Sequence, residues 1–210
     1  MSKSYTTLLG ETSERTEIRR SVFIATVAGI EDDEDAEKFV RAVRKRYSDA
    51  THNCYAYISD ENGTAARFSD DGEPGGTAGQ PILEVLKKKG LVKTVAVVTR
   101  YFGGIKLGAG GLVGAYTESV AKALDSAVTV RFTECVRMTV ECGYQEYSAV
   151  ENAFRKNRAV CESVSYADGV TATYFVDTDF AEKVRDAVAA VTGGAVVPSE
   201  SGCGYAVIPD

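Results

Sequence analysis

Two glycine-rich stretches are the places in this chain where residue types and spacing can do chemistry. The first runs Ser69-Asp70-Asp71-Gly72-Glu73-Pro74-Gly75-Gly76-Thr77-Ala78-Gly79-Gln80-Pro81 and the second Phe102-Gly103-Gly104-Ile105-Lys106-Leu107-Gly108-Ala109-Gly110-Gly111. Each opens into a helical pattern. The first N–H groups of a helix lack intrahelical partners, and glycines let a ligand approach the backbone, so both stretches read as anion nests. In the first, Gly76, Thr77 and Gly79 are the candidate contacts, with Thr77 as N-cap. In the second they are Gly103, Gly104, Gly108, Gly110 and Gly111, flanked by Arg100 and Lys106 for positive charge. The ligand such a pair of nests suits is a phosphate or a carboxylate. The plainer alternative is that these glycines only permit tight turns and helix entry. Neither stretch is a nucleotide fingerprint: the Walker spacing is absent, and Gly108-x-Gly110-x-x-x-Gly114 misses the dinucleotide pattern by one position.

Asp70, Asp71 and Glu73 form an acidic triplet that either holds Mg²⁺ beside a phosphate or caps the turn, and capping is the commoner use. His52, the one histidine, is the sole side chain suited to general-base work near neutrality. With no obvious nucleophile beside it, a hydrogen-bonding role at a strand end is the default. His52 and Asp71 join the candidate anion-site residues, and no catalytic residue is assigned. The five cysteines contain no C-x-x-C pair, so reduced thiols and no zinc are expected, and no cofactor is implied. Arg41, Arg44, Lys45 and Arg46, with Lys87, Lys88 and Lys89, make two basic runs at helix C-termini. They serve the helix dipole, or, if they converge, a phosphate-backbone footprint. Tyr55, Tyr57, Phe68, Tyr101 and Phe102 are enough aromatics to stack bases and equally suited to a core.

The elements that position these residues follow from periodicity. Thr16 to Ala28 reads as one strand, and acidic residues 31–35 open an amphipathic helix with Ala36, Phe39, Val40, Val43 and Tyr47 on one stripe. His52 to Ile58 and Ala65 to Phe68 make a hairpin across Asn62-Gly63, and a helix spans Ile82 to Lys89. Thr94 to Tyr101 is a continuous apolar strand of the kind buried on both faces. The following helix carries Leu112, Tyr116, Val120, Ala123, Leu124 and Ala127. Beyond Val128 the order is βαββαβ: a strand through Val136–Cys142, a helix with Tyr147, Val150 and Phe154, and a hairpin across Ala167-Asp168-Gly169. A helix then carries Phe180, Val184, Ala187, Val188 and Val191, and Ala195 to Val197 form the last strand. The fold class is α+β, with domains at 1–128 and 129–210.

The 210 residues carry 24 Lys plus Arg and 30 Asp plus Glu, net −6, with 44% hydrophobic residues. That is a globular composition. No stretch approaches the ~20 apolar residues of a membrane helix, and the start lacks a signal-peptide core, so a cytoplasmic protein without membrane partners is expected. Residues 129–210 hold 7 bases and 12 acids, net −5; residues 1–128 hold the other 17 and 18, net −1. The charge objection to nucleic acid therefore falls mainly on the second domain.

His52-Asn53-Cys54-Tyr55, the run Asp70-Asp71-Gly72-Glu73-Pro74-x-Gly76-Thr77-Ala78-Gly79-x-Pro81-Ile82-Leu83, and Val97-Val98-Thr99-Arg100-Tyr101-Phe102-Gly103-Gly104-Ile105-Lys106-Leu107-Gly108-x-Gly110-Gly111-Leu112-Val113 resemble the Impact/YigZ family. The resemblance covers residues 20 to 124, and the tail resembles the second domain of bacterial, YigZ-type members. It implies a first domain with the ribosomal protein S5 domain 2-like fold. It implies a ferredoxin-like second domain resembling the C-terminal domain of elongation factor G. Eukaryotic members regulate translation under amino-acid stress. The expectation for this chain is a non-enzymatic regulatory protein that binds RNA, the ribosome or a translation factor through the glycine-loop face. A protein-interaction module without nucleic acid, or an enzyme on a small phosphorylated metabolite, are the alternatives. Gly75, Gln80 and Gly114 stand where the family pattern has Ser, Lys or Arg, and Arg.

Overall fold

The computed structural model describes residues 3–209, which fall into two units: residues 5–130, and residues 131–209 together with 3–4. Along the chain come β1 (Ser4–Leu8), β2 (Glu11–Ile18), β3 (Ser21–Gly29), α1 (Asp33–Arg46), β4 (His52–Ile58), β5 (Ala66–Ser69), α2 (Gly79–Lys88), β6 (Thr94–Tyr101) and α3 (Gly108–Ser126). Then follow β7 (Thr129–Cys142), α4 (Tyr144–Lys156), β8 (Val160–Tyr166), β9 (Val170–Asp177), α5 (Ala181–Thr192) and β10 (Ser199–Ala206). The architecture is α+β with antiparallel sheets.

In the first unit the sheet order is β2-β3-β6-β4-β5, which puts β6 at the centre. Its alternation explains its unbroken apolar run. Val95 and Val97 face a core completed by Ala36, Val40 and Val43 of α1, while Ala96 and Val98 face one completed by Ile82 and Leu86 of α2 and by Tyr116 and Val120 of α3. The sheet thus has α1 on one side and α2 and α3 on the other. Asp32 caps α1 by accepting the Asp35 N–H at 2.9 Å, and Arg44, Lys45 and Arg46 close its last turn, as the dipole favours.

The expected single strand from Thr16 to Ala28 is instead a hairpin: Ile18 pairs with Ser21, and Arg19 and Arg20 turn the chain at φ 48° and 67°. Positive φ at both central residues is the primed geometry that matches strand twist. It is usually signalled by Asn-Gly, so an Arg-Arg turn left no mark in the sequence.

The second unit runs β7-α4-β8-β9-α5-β10 with sheet order β10-β7-β9-β8, a split βαβ pattern. Met138, Val140, Ala172, Tyr174, Val150, Phe154, Val184 and Val188 form one core, with Phe154 and Tyr174 stacked at 4.1 Å. Gly193, at φ 61°, ends α5 in the left-handed conformation. The expected last strand at Ala195 to Val197 moves to Ser199–Ala206, paired with Thr139 through Thr133 and broken by a bulge between Glu200 and Gly202. Its sequence, SESGCGYA, has no β-branched residue; ladder pairing rather than propensity makes it a strand.

Candidate functional site

The two glycine stretches have opposite fates. In the first, the Asp70 carboxylate accepts the backbone N–H groups of Gly76 (2.9 Å), Ala78 (3.0 Å) and Gly79 (2.8 Å). Partial burial opposes its ionisation, but the three donors outweigh it and hold Asp70 below the usual carboxylate range. This nest is already filled by the chain's own anion, which takes the N–H groups of Gly76 and Gly79 that an external phosphate would need. Thr77 is not the N-cap: its hydroxyl donates to the Pro74 carbonyl at 2.6 Å, and Asp70 does the capping from outside the helix. Gly79 is glycine because a Cβ would stand 2.8 Å from the Ser69 backbone.

The second stretch is open. The first turn of α3 has no side-chain cap and no acidic residue, and Gly108, Ala109, Gly110 and Gly111 are exposed. Gly104 and Gly108 sit at φ 84° and 75°. Gly103 is structural, since a Cβ there would lie 2.0 Å from the Arg20 carbonyl oxygen. Gly110 has neither reason: its φ is ordinary and no atom of the described residues lies within 4 Å of its Cβ position. A helical glycine costs about 1 kcal/mol against alanine, so packing does not explain it. Lys106 is exposed and has no ion pair among the described residues. The turn that meets Gly103 adds two further exposed guanidinium groups, Arg19 and Arg20.

Behind this loop lies a buried polar centre. Arg100 donates from Nη1 to Glu73 Oε1 at 2.6 Å, and Tyr116 donates its hydroxyl to the same oxygen at 2.7 Å. Arg100 and Glu73 are 5% and 8% exposed. The Arg100 guanidinium lies 5.5 Å from the centroids of the Phe23 and Phe102 rings. Among the described residues its buried Nε–H has no partner. Cys54 Sγ lies 3.3 Å from the Tyr116 hydroxyl; burial pushes the Cys54 thiol up to about 12 and raises the Tyr116 phenol as well.

His52 stands at the rim. Its Nδ1 is 2.8 Å from the Asp71 carbonyl oxygen, which can only accept, so Nδ1 carries the proton and Nε2 presents a lone pair in the neutral ring. That Nε2 is 4.0 Å from Glu73 Oε2, an oxygen with no hydrogen bond among the described residues. The expected role for Asp71 as an anion-site residue does not hold. Its Oδ1 takes Arg44 Nη2 at 2.6 Å and its Oδ2 takes the Asn53 N–H at 2.7 Å, which locks the loop to β4 and α1. The acidic triplet is therefore dispersed among three separate duties.

Thr51, His52, Glu73, Pro74, Arg100 and Phe102, with residues 106–109 and Leu112, line one cleft of about 440 Å³. Of the sequence-derived candidates it gathers His52, Arg100, Lys106 and Gly108, with Gly103, Gly104, Gly110 and Gly111 in the same loop and helix turn. Gly76, Thr77 and Gly79 remain with Asp70. The basic runs do not converge, because α1 and α2 lie on opposite faces of the sheet, and Arg41, Arg44, Arg46, Lys87 and Lys89 are ion-paired. Tyr57 is core, and Phe102, 46% exposed, is the aromatic at the cleft. Glu73, as partner of Arg100, and Tyr116 were missed; an arginine closing an apolar strand and a tyrosine in an otherwise aliphatic stripe were the available signals.

The Impact N-terminal domain profile matches residues 19–124, and a domain of unknown function, DUF1949, matches residues 140–195. IMPACT family member YvyE of Bacillus subtilis is 39% identical over 177 residues, covering 84% of this chain and 82% of that protein. IMPACT family member YigZ of Escherichia coli is 42% identical over 137 residues, covering 64% and 67%. A crystal structure titled as that of a hypothetical protein superposes with TM-score 0.63 at 32% identity over 94% of this chain and 97% of the other. No described helix is long and apolar enough to cross a membrane. With the glycine loops, the buried Arg100–Glu73 pair and both domains matched, the chain belongs to the IMPACT family.

Proposed function

We propose that this chain is a non-enzymatic, translation-associated regulatory protein that binds RNA through the cleft at the N-terminus of α3. One observation carries the reading: α3 begins uncapped, without acid and with an open glycine turn, beside the exposed Lys106, which has no ion pair among the described residues. Free N–H groups and positive charge together favour phosphate. Arg19 and Arg20 support it, because left-handed backbone at two arginines is a strained choice where Asn-Gly would serve. Their charges stand beside the same loop. Burial keeps the Cys54 thiol and the Tyr116 phenol protonated near neutrality, so neither is a ready nucleophile. RNA on the ribosome is the setting in which such a protein would act. In the same reading, residues 1–128 form an S5 domain 2-like unit and residues 129–210 a ferredoxin-like unit resembling the C-terminal domain of elongation factor G.

The test is fluorescence anisotropy with labelled single-stranded and hairpin RNA across a salt series. Binding should weaken linearly in log–log form, and Lys106→Ala should reduce the slope by about 0.7, the share of one phosphate contact on a single strand. Absence of binding at low salt, or a slope indifferent to Lys106, contradicts the proposal.

A further inference from the structure

The cleft carries more information than a phosphate site needs. Its wall presents two hydrogen-bond acceptors side by side: His52 Nε2, made an acceptor by the Nδ1–H bond to the Asp71 carbonyl, and Glu73 Oε2, 4.0 Å away. Glu73 is fixed, because its other oxygen is held by Arg100 and Tyr116 and the residue is 8% exposed. No donor stands between the two acceptors among the described residues. A lone hydroxyl has one hydrogen and can satisfy only one of them; two adjacent hydroxyls satisfy both. An internal ribonucleotide offers only its 2′-hydroxyl, whereas a 3′-terminal ribose offers a vicinal 2′,3′-diol.

The rest of the cleft suits the remainder of that nucleotide. Lys106 and the open first turn of α3 face its phosphate, and Phe102, with the Arg100 guanidinium 5.5 Å from its ring centroid, offers a stacking surface for the base. A volume of about 440 Å³ accommodates one nucleotide. We propose that the cleft is a subsite for the 3′-terminal ribonucleotide of an RNA chain, with His52 Nε2 and Glu73 Oε2 accepting hydrogen bonds from its vicinal diol. The inference rests on the RNA-binding reading above and adds to it the identity of the group bound.

The experiment compares one short single-stranded RNA carrying four 3′ ends: the native diol, a 2′-deoxy terminus, a 3′-phosphate, and the periodate-oxidised terminus. Affinity is measured by anisotropy with the label at the 5′ end. The diol end should bind at least tenfold tighter than the other three, about 1.4 kcal/mol. In His52→Asn the amide nitrogen keeps a donor near the Nδ1 position while the Nε2 acceptor is lost. Its diol preference should fall below about threefold. The preference is a ratio within one protein, so a partly destabilised variant still reports it, and the wild-type comparison needs no variant at all. Equal binding of all four ends with the Lys106 dependence intact overturns the diol subsite and leaves the RNA reading standing. Absence of binding to every RNA overturns both.

Discussion

The two glycine loops of the first unit share composition and position before a helix, yet one is closed and the other open. The difference is a single carboxylate. Asp70 folds back onto Gly76, Ala78 and Gly79 and satisfies the orphan donors of α2 from within. No acid occupies the corresponding place before α3, where Lys106 stands instead. A glycine-rich loop before a helix is thus an anion site only when the chain does not supply the anion. Glu73 links the loops, leaving the first to pair with Arg100 at the floor of the cleft under the second.

Removing that link should produce the largest effect. Glu73→Ala leaves the Arg100 guanidinium buried and uncompensated, and should destabilise by about 3–5 kcal/mol in urea unfolding. Gly103→Ala comes next, at about 1–3 kcal/mol, because its Cβ meets the Arg20 carbonyl and the second loop must shift. Near-neutral stability in either variant contradicts the packing described.

Asp70→Ala sharpens the contrast more gently. It opens the first nest at a cost of about 1–2 kcal/mol, the range of a lost cap. Asp70 has a lowered folded pKa, so its contribution is complete above the ordinary carboxylate value of about 3.9 and is lost as pH falls through the folded value. The stability gap between wild type and Asp70→Ala should therefore be constant from pH 8 to pH 5, roughly, and close below about pH 4. A gap that widens on acidification contradicts the capping role. The smallest effect is opposite in sign: Gly110→Ala should stabilise by about 0.5–1 kcal/mol in thermal unfolding, while weakening RNA binding by crowding the open turn. A variant that gains stability and binds RNA unchanged would show that Gly110 serves no ligand.

Periodicity made the regular elements legible. The apolar run at Thr94–Tyr101, the stripe on α1 and the alternation through Val136, Met138 and Val140 each follow from burying one face or two. The Arg19–Arg20 turn and β10 escaped because their residues carry no turn or strand preference; backbone pairing alone decides them. The glycine stretches were visible as candidate nests, but their difference was not. Thr77 is the better cap by position, and only the loop's path brings Asp70 to the donors. The Arg100–Glu73–Tyr116 cluster joins residues 27 and 43 positions apart, from a strand, a loop and a helix, a tertiary fact with no local period. Both loops lie within the segment shared with the IMPACT family, and their geometry separates the closed one from the open one.

The contrast between the loops is tested most directly by titrating ¹⁵N-labelled protein with a short single-stranded RNA and following the backbone amides. The account predicts saturable shifts at Gly108, Ala109, Gly110 and Gly111 and at Lys106, with Gly76, Ala78 and Gly79 unmoved. Shifts at Gly76, Ala78 and Gly79, or none in either loop, would contradict it.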